Sequence, residues 1–124
     1  MPASPERIRE VIEQYVALVA TGTTDEIMDL FAEGATVEDP VGTEVKATRE
    51  AIREFYAALE GLEQVGTMLT ARIAAGQAAF HFELATKAGE NTYTLAPIDV
   101  MTFDDDGKIT SMRAFWADTD MQVT

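Results

Sequence analysis

Residues 79–84 read Ala79-Phe80-His81-Phe82-Glu83-Leu84, and the alternation in this stretch decides how the second half of the chain folds. Large apolar side chains at Phe80, Phe82 and Leu84 point one way, and the residues between them point the other way. This period of two residues is typical of a β-strand with one buried face. The same period begins at about Val65, so the residues beyond that point are predicted to form a sheet.

Turn-forming residues divide the predicted sheet into strands. The segment Lys87–Asn91 is turn-like, and Asp104-Asp105-Asp106-Gly107 has the composition of a hairpin turn. Strands joined by such short turns pair in an antiparallel way. The predicted strands cover residues 64–74, the stretch around 79–84, 92–103 and 108–117.

The first half of the chain has the period of helices. Ser4-Pro5, the capping-box pair Thr23 and Glu26, and Thr48 are typical of helix starts, and glycines at 22, 34 and 61 mark the ends. Three helices are therefore predicted, over residues 5–21, 24–33 and 49–60. Their apolar stripes are Ile8, Val11, Ile12, Tyr15, Leu18 and Val19; then Ile27, Leu30 and Phe31; then Ile52, Phe55, Tyr56 and Leu59.

A short strand, ended by Pro40, is predicted over residues 36–40, between the second and third helices. Helices first and strands later indicate an α+β fold, in which helices cover one face of an antiparallel sheet. The 124 residues are expected to form a single domain, residues 1–124.

Composition excludes several classes of function. The net charge of −13 would repel nucleic-acid phosphates and anionic lipids, so neither is an expected partner. The chain has no cysteine, which removes disulfides, thiolate metal sites and thiol nucleophiles. The N-terminus carries charges where a signal peptide needs an apolar run, and a cytoplasmic location is expected.

Two aspartates stand out against their surroundings. Asp99 lies in an apolar strand sequence, on the face of Leu95, Met101 and Phe103. If this is the inner face of the sheet, a carboxylate there must be protonated or paired with a cation. Arg113 on the next strand is the one candidate cation, and a solvated face is the other alternative. Asp39 precedes Pro40, which is common in turns, but alternation places it on the face of Val37.

Three further side chains could carry chemistry. Tyr15 lies in the apolar stripe of the first helix, and Tyr56 in the third helix could be the partner of its hydroxyl. His81, the only histidine, has the parity opposite to Phe80 and Phe82 and cannot form a zinc site without other ligands. No catalytic serine triad, phosphate-binding glycine loop or dinucleotide motif is present.

The order and local sequence of these residues resemble those of the bacterial steroid Δ5-3-ketoisomerases, or ketosteroid isomerases. The resemblance runs from the first helix to the last strand. The matching segments are Gln14-Tyr15-Val16, Leu30-Phe31-Ala32, residues 35–42 (Ala-Thr-Val-Glu-Asp-Pro-Val-Gly), Ile52-Arg53-Glu54-Phe55-Tyr56, residues 96–101 (Ala-Pro-Ile-Asp-Val-Met) and residues 107–114 (Gly-Lys-Ile-Thr-Ser-Met-Arg-Ala).

This resemblance implies a nuclear-transport-factor-2-like (NTF2-like) fold, in which three helices wrap a curved antiparallel sheet into an open cone, and a homodimer formed through the outer sheet face. It implies Asp39 as general base, Tyr15 and a protonated Asp99 as oxyanion-hole donors, and Tyr56 as hydrogen-bond partner of Tyr15. It implies no metal and no cofactor. The implied substrate-binding residues are Val37, Phe55, Phe82, Leu84, Met101, Met112, Ala114 and Trp116.

The implied activity is the shift of a carbon–carbon double bond next to the ketone of a hydrophobic steroid or similar enone. Phe31 stands where some members have another tyrosine, which shortens the hydrogen-bond network. The same fold also hosts cyclases, dehydratases, epoxide hydrolases and non-catalytic binding proteins, so the fold alone does not decide the function. A hydrolase or dehydratase would need a histidine or an Asp–Arg–Asp relay in the cavity.

Overall fold

One seven-stranded sheet organises the computed structural model, which describes residues 1–124. The strand order is β1-β6-β5-β3-β4-β7, and β2 pairs with the remaining edge of β3. Because β3 is long, the edge opposite to β2 pairs with two strands in succession, β5 along its first half and β4 along its second half. The strands are β1 (Phe31–Glu38), β2 (Glu63–Ala74), β3 (Gln77–Ala88), β4 (Asn91–Leu95), β5 (Ile98–Phe103), β6 (Ile109–Phe115) and β7 (Gln122–Val123).

Three α-helices precede or interrupt this sheet, and their predicted starts are confirmed. They are α1 (Pro5–Thr21), α2 (Thr24–Met28) and α3 (Arg49–Ala57). Ser4 accepts a hydrogen bond from the Arg7 amide, Thr48 accepts one from the Ala51 amide, and Thr23 forms the capping box with Glu26. None of the helices is long and apolar enough to cross a membrane.

The second helix is shorter than its sequence pattern predicts. It ends at Met28, and Phe31 already pairs with Ile109 as the first residue of β1. Gly34, expected to stop the helix, lies inside β1 at a φ of 75°, where the register shifts between Phe31 and Thr36. The glycine therefore allows a strand irregularity that a residue with a Cβ would resist.

The α+β class and the helix-covered curved sheet are confirmed, with one difference in strand direction. β1 runs parallel to β6, whereas the other pairings are antiparallel. No hairpin joins β1 to β6, because most of the chain lies between them, so no turn dictates their relative direction. The parallel pairing aligns Val37 with Met112 and Glu38 with Arg113.

The long strand predicted over 92–103 is two strands. Pro97 has no amide hydrogen to donate, and the ladder is interrupted between β4 and β5 at Ala96 and Pro97. The Pro97 carbonyl still accepts a hydrogen bond from the Phe82 amide at 3.4 Å. After β6, a 3-10 helix (Asp118–Asp120) and β7, which pairs with β4, were not predicted from the sequence.

The core lies between the helices and the inner face of the sheet. Phe80 and Phe82 are buried on this face, as their alternation predicts, and both rings meet the Tyr15 ring of α1 edge to face. The outer face carries the residues of opposite parity, among them Ile98, Arg113 and the partly exposed His81. The two faces of the sheet therefore offer very different environments to a charged side chain.

Candidate active site

A mostly apolar cavity of about 210 Å³ lies between α1, α3 and the inner face of the sheet. Its polar groups are the side chains of Tyr15, Asp39, Asp99 and Trp116. A larger surface groove of about 490 Å³, beside Arg49 and Lys108, contains none of the residues predicted to be catalytic, so we place the site in the smaller cavity. The lining residues are Tyr15, Val19, Asp39, Phe55, Leu59, Phe82, Leu84, Leu95, Pro97, Asp99 and Trp116.

Asp99 is a buried carboxyl group without a charged partner. Only 1% of the residue is exposed, and its Oδ1 has no hydrogen-bond partner. Arg113 lies on the outer face, where its Nε donates to Glu38 Oε1 at 3.0 Å, so the predicted alternative of an Asp99–Arg113 pair is wrong. Burial raises the pKa of Asp99 well above its ordinary value, and the nearby negative charge of Asp39 adds to the effect. The neutral acid, which can donate a hydrogen bond, is therefore the favoured form.

Tyr15 is held by a second tyrosine. Its hydroxyl oxygen lies 2.7 Å from that of Tyr56, and both residues are buried. Burial raises the pKa of both hydroxyls well above the ordinary value, so both stay protonated. Phe31 packs against Tyr56 with 5.7 Å between ring centroids but offers no hydroxyl, so the chain of hydroxyl groups ends at Tyr56.

Asp39 lies where β1 ends beside β6. The Val41 amide donates to the Ala114 carbonyl at 2.8 Å, and the Gly42 amide donates to Glu38 Oε2 at 2.9 Å, which fixes the backbone on both sides of Asp39. The Trp116 indole Nε1 donates to Asp39 Oδ1 at 2.8 Å.

Two opposing influences act on the Asp39 carboxylate. Burial raises the pKa of Asp39, while the Trp116 hydrogen bond and the positive charge of Lys46 act in the opposite direction. The Lys46 ammonium also lies over the ring of Phe55, 4.9 Å from its centroid. Asp39 is thus a partly buried carboxylate of raised basicity at the wall of the cavity.

The structure brings most of the predicted site residues together. Tyr15, Asp39 and Asp99 line one cavity, and Tyr56 reaches it through Tyr15. Four predicted wall residues, Phe55, Phe82, Leu84 and Trp116, also line it. The other four do not line it and are fully buried in the core: Val37, Met101, Met112 and Ala114.

Four lining residues were missed by the sequence reasoning, although spacing could have found them. Val19 lies four residues after Tyr15, and Leu59 lies four residues after Phe55, which places each pair on one helix face. Leu95 and Pro97 share the strand parity of Asp99. His81 is not in the cavity, and its Nε2 lies 3.1 Å from the Ala96 carbonyl oxygen.

Fold and cavity together define a class of protein, namely a small NTF2-like α+β protein whose helices and curved sheet enclose an apolar cavity. The model of the SnoaL-like domain family matches residues 12–112. The steroid Δ-isomerase of Nocardioides simplex is 50% identical over 117 residues, which cover 94% of this chain and 95% of that protein. The chain therefore belongs to the SnoaL-like domain family, together with this steroid Δ-isomerase, and it is an isomerase.

A solved structure supports the same fold. It is that of SalBIII, an epoxide hydrolase/cyclase-like enzyme with a role in pyran ring formation in the polyether salinomycin. The two structures superpose with a TM-score of 0.83 at 30% identity, and the match covers 96% of this chain and 97% of that one. The family resemblance predicted from the sequence is confirmed, and the same fold also occurs in an enzyme of another reaction type.

Proposed function

We propose that the protein converts Δ5-3-ketosteroids into their conjugated Δ4 isomers, without a cofactor. The observation that carries the proposal is that one apolar cavity holds a partly buried carboxylate, Asp39, and two hydrogen-bond donors, Tyr15 and a neutral Asp99. The name of the Nocardioides simplex relative supports the same reaction and the same substrate class.

Asp39 is the base of the proposed reaction. The C–H bond on the carbon between ketone and alkene breaks, the proton passes to Asp39, and the electron pair moves toward the carbonyl oxygen to give a dienolate. Asp39 then returns the proton to the far carbon of the former alkene. One proton leaves the substrate and one is returned, so the reaction consumes neither water nor an oxidant.

Tyr15 and Asp99 stabilise the negative charge that develops on the ketone oxygen. Hydrogen-bond donors that are already oriented in a water-poor cavity stabilise such an oxyanion more strongly than water does. In the proposed network the Tyr56 hydroxyl donates to the Tyr15 oxygen, which leaves the Tyr15 proton for the substrate. Asp99 in its protonated form donates its own carboxylic proton, and its burial favours that form by raising its pKa.

Trp116 acts on the base and not on the oxyanion. Its indole N–H occupies Asp39 Oδ1, which leaves Oδ2 as the oxygen that takes and returns the proton. Because the same indole ring also lines the cavity, it can lie against a flat ring system while it holds the base. Trp116 is therefore assigned both a positioning and a binding role.

Two observations disfavour the hydrolase or dehydratase alternative within this fold. His81 lies on the outer face of the sheet and bonds the Ala96 carbonyl, so it is not available in the cavity. Arg113 is committed to Glu38 on the outer face, so Asp99 has no guanidinium beside it. The cavity therefore lacks the histidine and the Asp–Arg–Asp relay that a hydrolase or dehydratase of this fold is expected to use.

An ultraviolet absorbance assay tests the proposed function. Purified protein is mixed with a Δ5-3-ketosteroid in the presence of a chelator, and growth of the conjugated-enone band is followed. We expect rapid turnover by the wild type and by the surface control Asp106→Asn, and none above background by Asp39→Asn. A flat trace for the wild type, with steroid binding shown by quenching of Trp116 fluorescence, would contradict the proposal and favour a binding protein.

We further propose that the protein is a homodimer formed through the outer sheet face. Ile98 and Phe115 are neighbours on β5 and β6, and they are 47% and 42% exposed. Adjacent large apolar side chains on a sheet face favour burial against a partner. Sedimentation velocity should give a dimer that Phe115→Asp weakens, and a monomeric wild type at micromolar concentration would contradict this.

A further inference from the structure

Gln64 is a buried polar residue that the proposed isomerase chemistry does not use. It lies on the inner face of β2 with 7% of the residue exposed, and its Nε2 donates to Thr86 Oγ1 at 2.9 Å. Its Oε1 is buried and has no hydrogen-bond partner. Nearly all buried polar atoms in native proteins are paired, so a buried acceptor without a partner is a candidate to bind a donor group of a ligand.

The position of Gln64 relates it to the candidate active site. Along the inner face of β3, Phe80 is the register partner of Asp99, and Phe82 and Leu84 line the active-site cavity. Thr86 is the next inner residue, about 7 Å beyond Leu84. Gln64 is the register partner of Thr86 on β2, so it lies at the end of this row that is farther from Asp99.

A second cavity, of about 300 Å³, lies at this end of the row. It is formed between the last turn of α1 and the segment from α3 to β2, and Gln64 is one of its lining residues. Leu59 forms part of the wall of both cavities. The open space on the far side of Leu59 is therefore next to a polar side chain, Gln64.

The size of the first cavity indicates that a rigid substrate of several rings extends beyond it. Its volume of about 210 Å³ is below the range of about 300–1,000 Å³ that is usual for small-molecule sites. A rigid ring system whose ketone oxygen lies between Tyr15 and Asp99 therefore needs space beyond this cavity, and the second cavity, which shares the wall residue Leu59, adjoins it. The end of the substrate opposite to the ketone then approaches Gln64 and Thr86.

We infer that Gln64 and Thr86 form a polar subsite for a hydroxyl group at the substrate end opposite to the ketone. This inference rests on the proposed function, because it takes the ketone to lie at Tyr15 and Asp99. The substrate hydroxyl donates to Gln64 Oε1 and so pairs the free acceptor. A ketone at the same position cannot donate, and a substrate without oxygen there leaves Oε1 unpaired.

Three Δ5-3-ketosteroids test this subsite: one with a hydroxyl on the terminal ring, one with a ketone there, and one without oxygen there. For each we would measure kcat and KM, and the Kd of the conjugated product by quenching of Trp116 fluorescence. Because a site built to bond a hydroxyl discriminates against analogues that lack it, we expect the wild type to favour the hydroxyl compound about 10-fold in KM and Kd. In Gln64→Met this preference should be lost, and in the control Gln77→Met, on an exposed residue of the same hairpin, it should persist.

Each outcome separates the two proposals. A hydroxyl preference that survives in Gln64→Met, or a Gln64→Met variant that weakens all three compounds equally, would overturn the subsite while leaving the isomerase intact. Absence of turnover with all three compounds would overturn the isomerase, and the product Kd values would still report on the subsite. If Gln64→Met does not fold by circular dichroism, Thr86→Val keeps the amide but removes its partner, and it should reduce the preference.

Discussion

Glu38 and Asp39 are adjacent carboxylates at the end of β1, yet the two faces of the sheet give them opposite properties. Glu38 faces outward, where the Gly42 amide and the Arg113 guanidinium lower its pKa. Asp39 faces inward, where burial raises its pKa and one indole N–H is its only hydrogen-bond donor. Strand alternation alone decides which of the two becomes basic enough to serve as a proton acceptor.

Asp99 and Arg113 repeat this contrast on the neighbouring strands. Arg113 is directed to the outer face and pairs with Glu38, which leaves Asp99 on the inner face without a cation. A cation on the inner face would hold Asp99 ionised and remove its ability to donate. The separation of positive charge from the cavity is thus a condition for the proposed oxyanion hole.

The largest effect should come from Asp39→Asn, which is compared below with Glu38→Gln at the adjacent carboxylate. Asp39→Asn removes the proposed base and should lower kcat by about 10²–10⁴-fold, which is the usual contribution of a general base. Steroid binding should be retained, because the amide keeps the shape of the side chain and can still accept from Trp116. The measurement is kcat from the enone absorbance together with Kd from Trp116 fluorescence.

Glu38→Gln is the matched control for this substitution. It changes a carboxylate one residue away on the outer face, and it should change kcat by less than about threefold, because Glu38 does not reach the cavity and the glutamine oxygen can still accept from the Gly42 amide. An equal loss of kcat in Glu38→Gln and Asp39→Asn would mean that the strand end, and not the base, had been disturbed. That result would contradict the assignment of a catalytic role to the inward-facing carboxylate alone.

A smaller but still large effect is expected at the oxyanion end of the cavity. Tyr15→Phe removes one donor and should lower kcat by about 10²–10³-fold, as deletion of a single oxyanion-hole donor does. Tyr56→Phe leaves the Tyr15 hydroxyl in place and should cost much less. Steady-state kinetics of both variants decides the matter: if Tyr15→Phe altered KM and left kcat unchanged, Tyr15 would be a packing residue.

The sequence predicted the fold class well because alternation and helix caps are local signals. Phe80 and Phe82 lie on the buried face, and Ser4, Thr23 and Thr48 cap the helices. The predicted end of the second helix and the predicted single strand over 92–103 were wrong, because strand pairing between distant parts of the chain decides both. Phe31 joined β1 beside β6 instead of extending α2, and Pro97 divided a strand whose two parts both pair with β3.

The polar centre of the candidate site could also be located from the sequence, but its walls could be located only in part. A carboxylate in an apolar strand is unusual enough to mark Asp99, whereas Met101 and Met112 cannot be told from cavity residues by parity alone. Both share the inner face with Asp99, yet both are fully buried and do not line the cavity. Depth below the cavity surface depends on how helices cover the sheet, and strand parity does not carry that information.

A third effect concerns how the free energy of unfolding depends on pH, because carboxyl groups on the two faces of the sheet should shift it in opposite directions. Asp99 in the unfolded chain titrates near about 3.9, but the folded protein keeps it protonated to a higher pH. Above about pH 4 the folded state therefore binds one more proton than the unfolded chain, and stability decreases as the pH rises toward the folded pKa. Asp99→Asn cannot ionise, so its stability relative to the wild type should increase with pH, by up to about 1.4 kcal/mol for each pH unit in that interval.

Glu38→Gln should show the opposite sign. The folded pKa of Glu38 is lowered, so its carboxylate stabilises the fold above its unfolded pKa of about 4.3, and this contribution is lost as the pH falls. Glu38→Gln should therefore be less stable than the wild type at pH 7, by a small amount because its partner Arg113 is half exposed to solvent, and nearly equal to it at pH 4. Urea unfolding of both variants between pH 4 and pH 8 measures these differences. If the two differences from the wild type changed with pH in the same direction, the two sheet faces would not set the protonation of their carboxyl groups, and Asp99 would not be held neutral by burial.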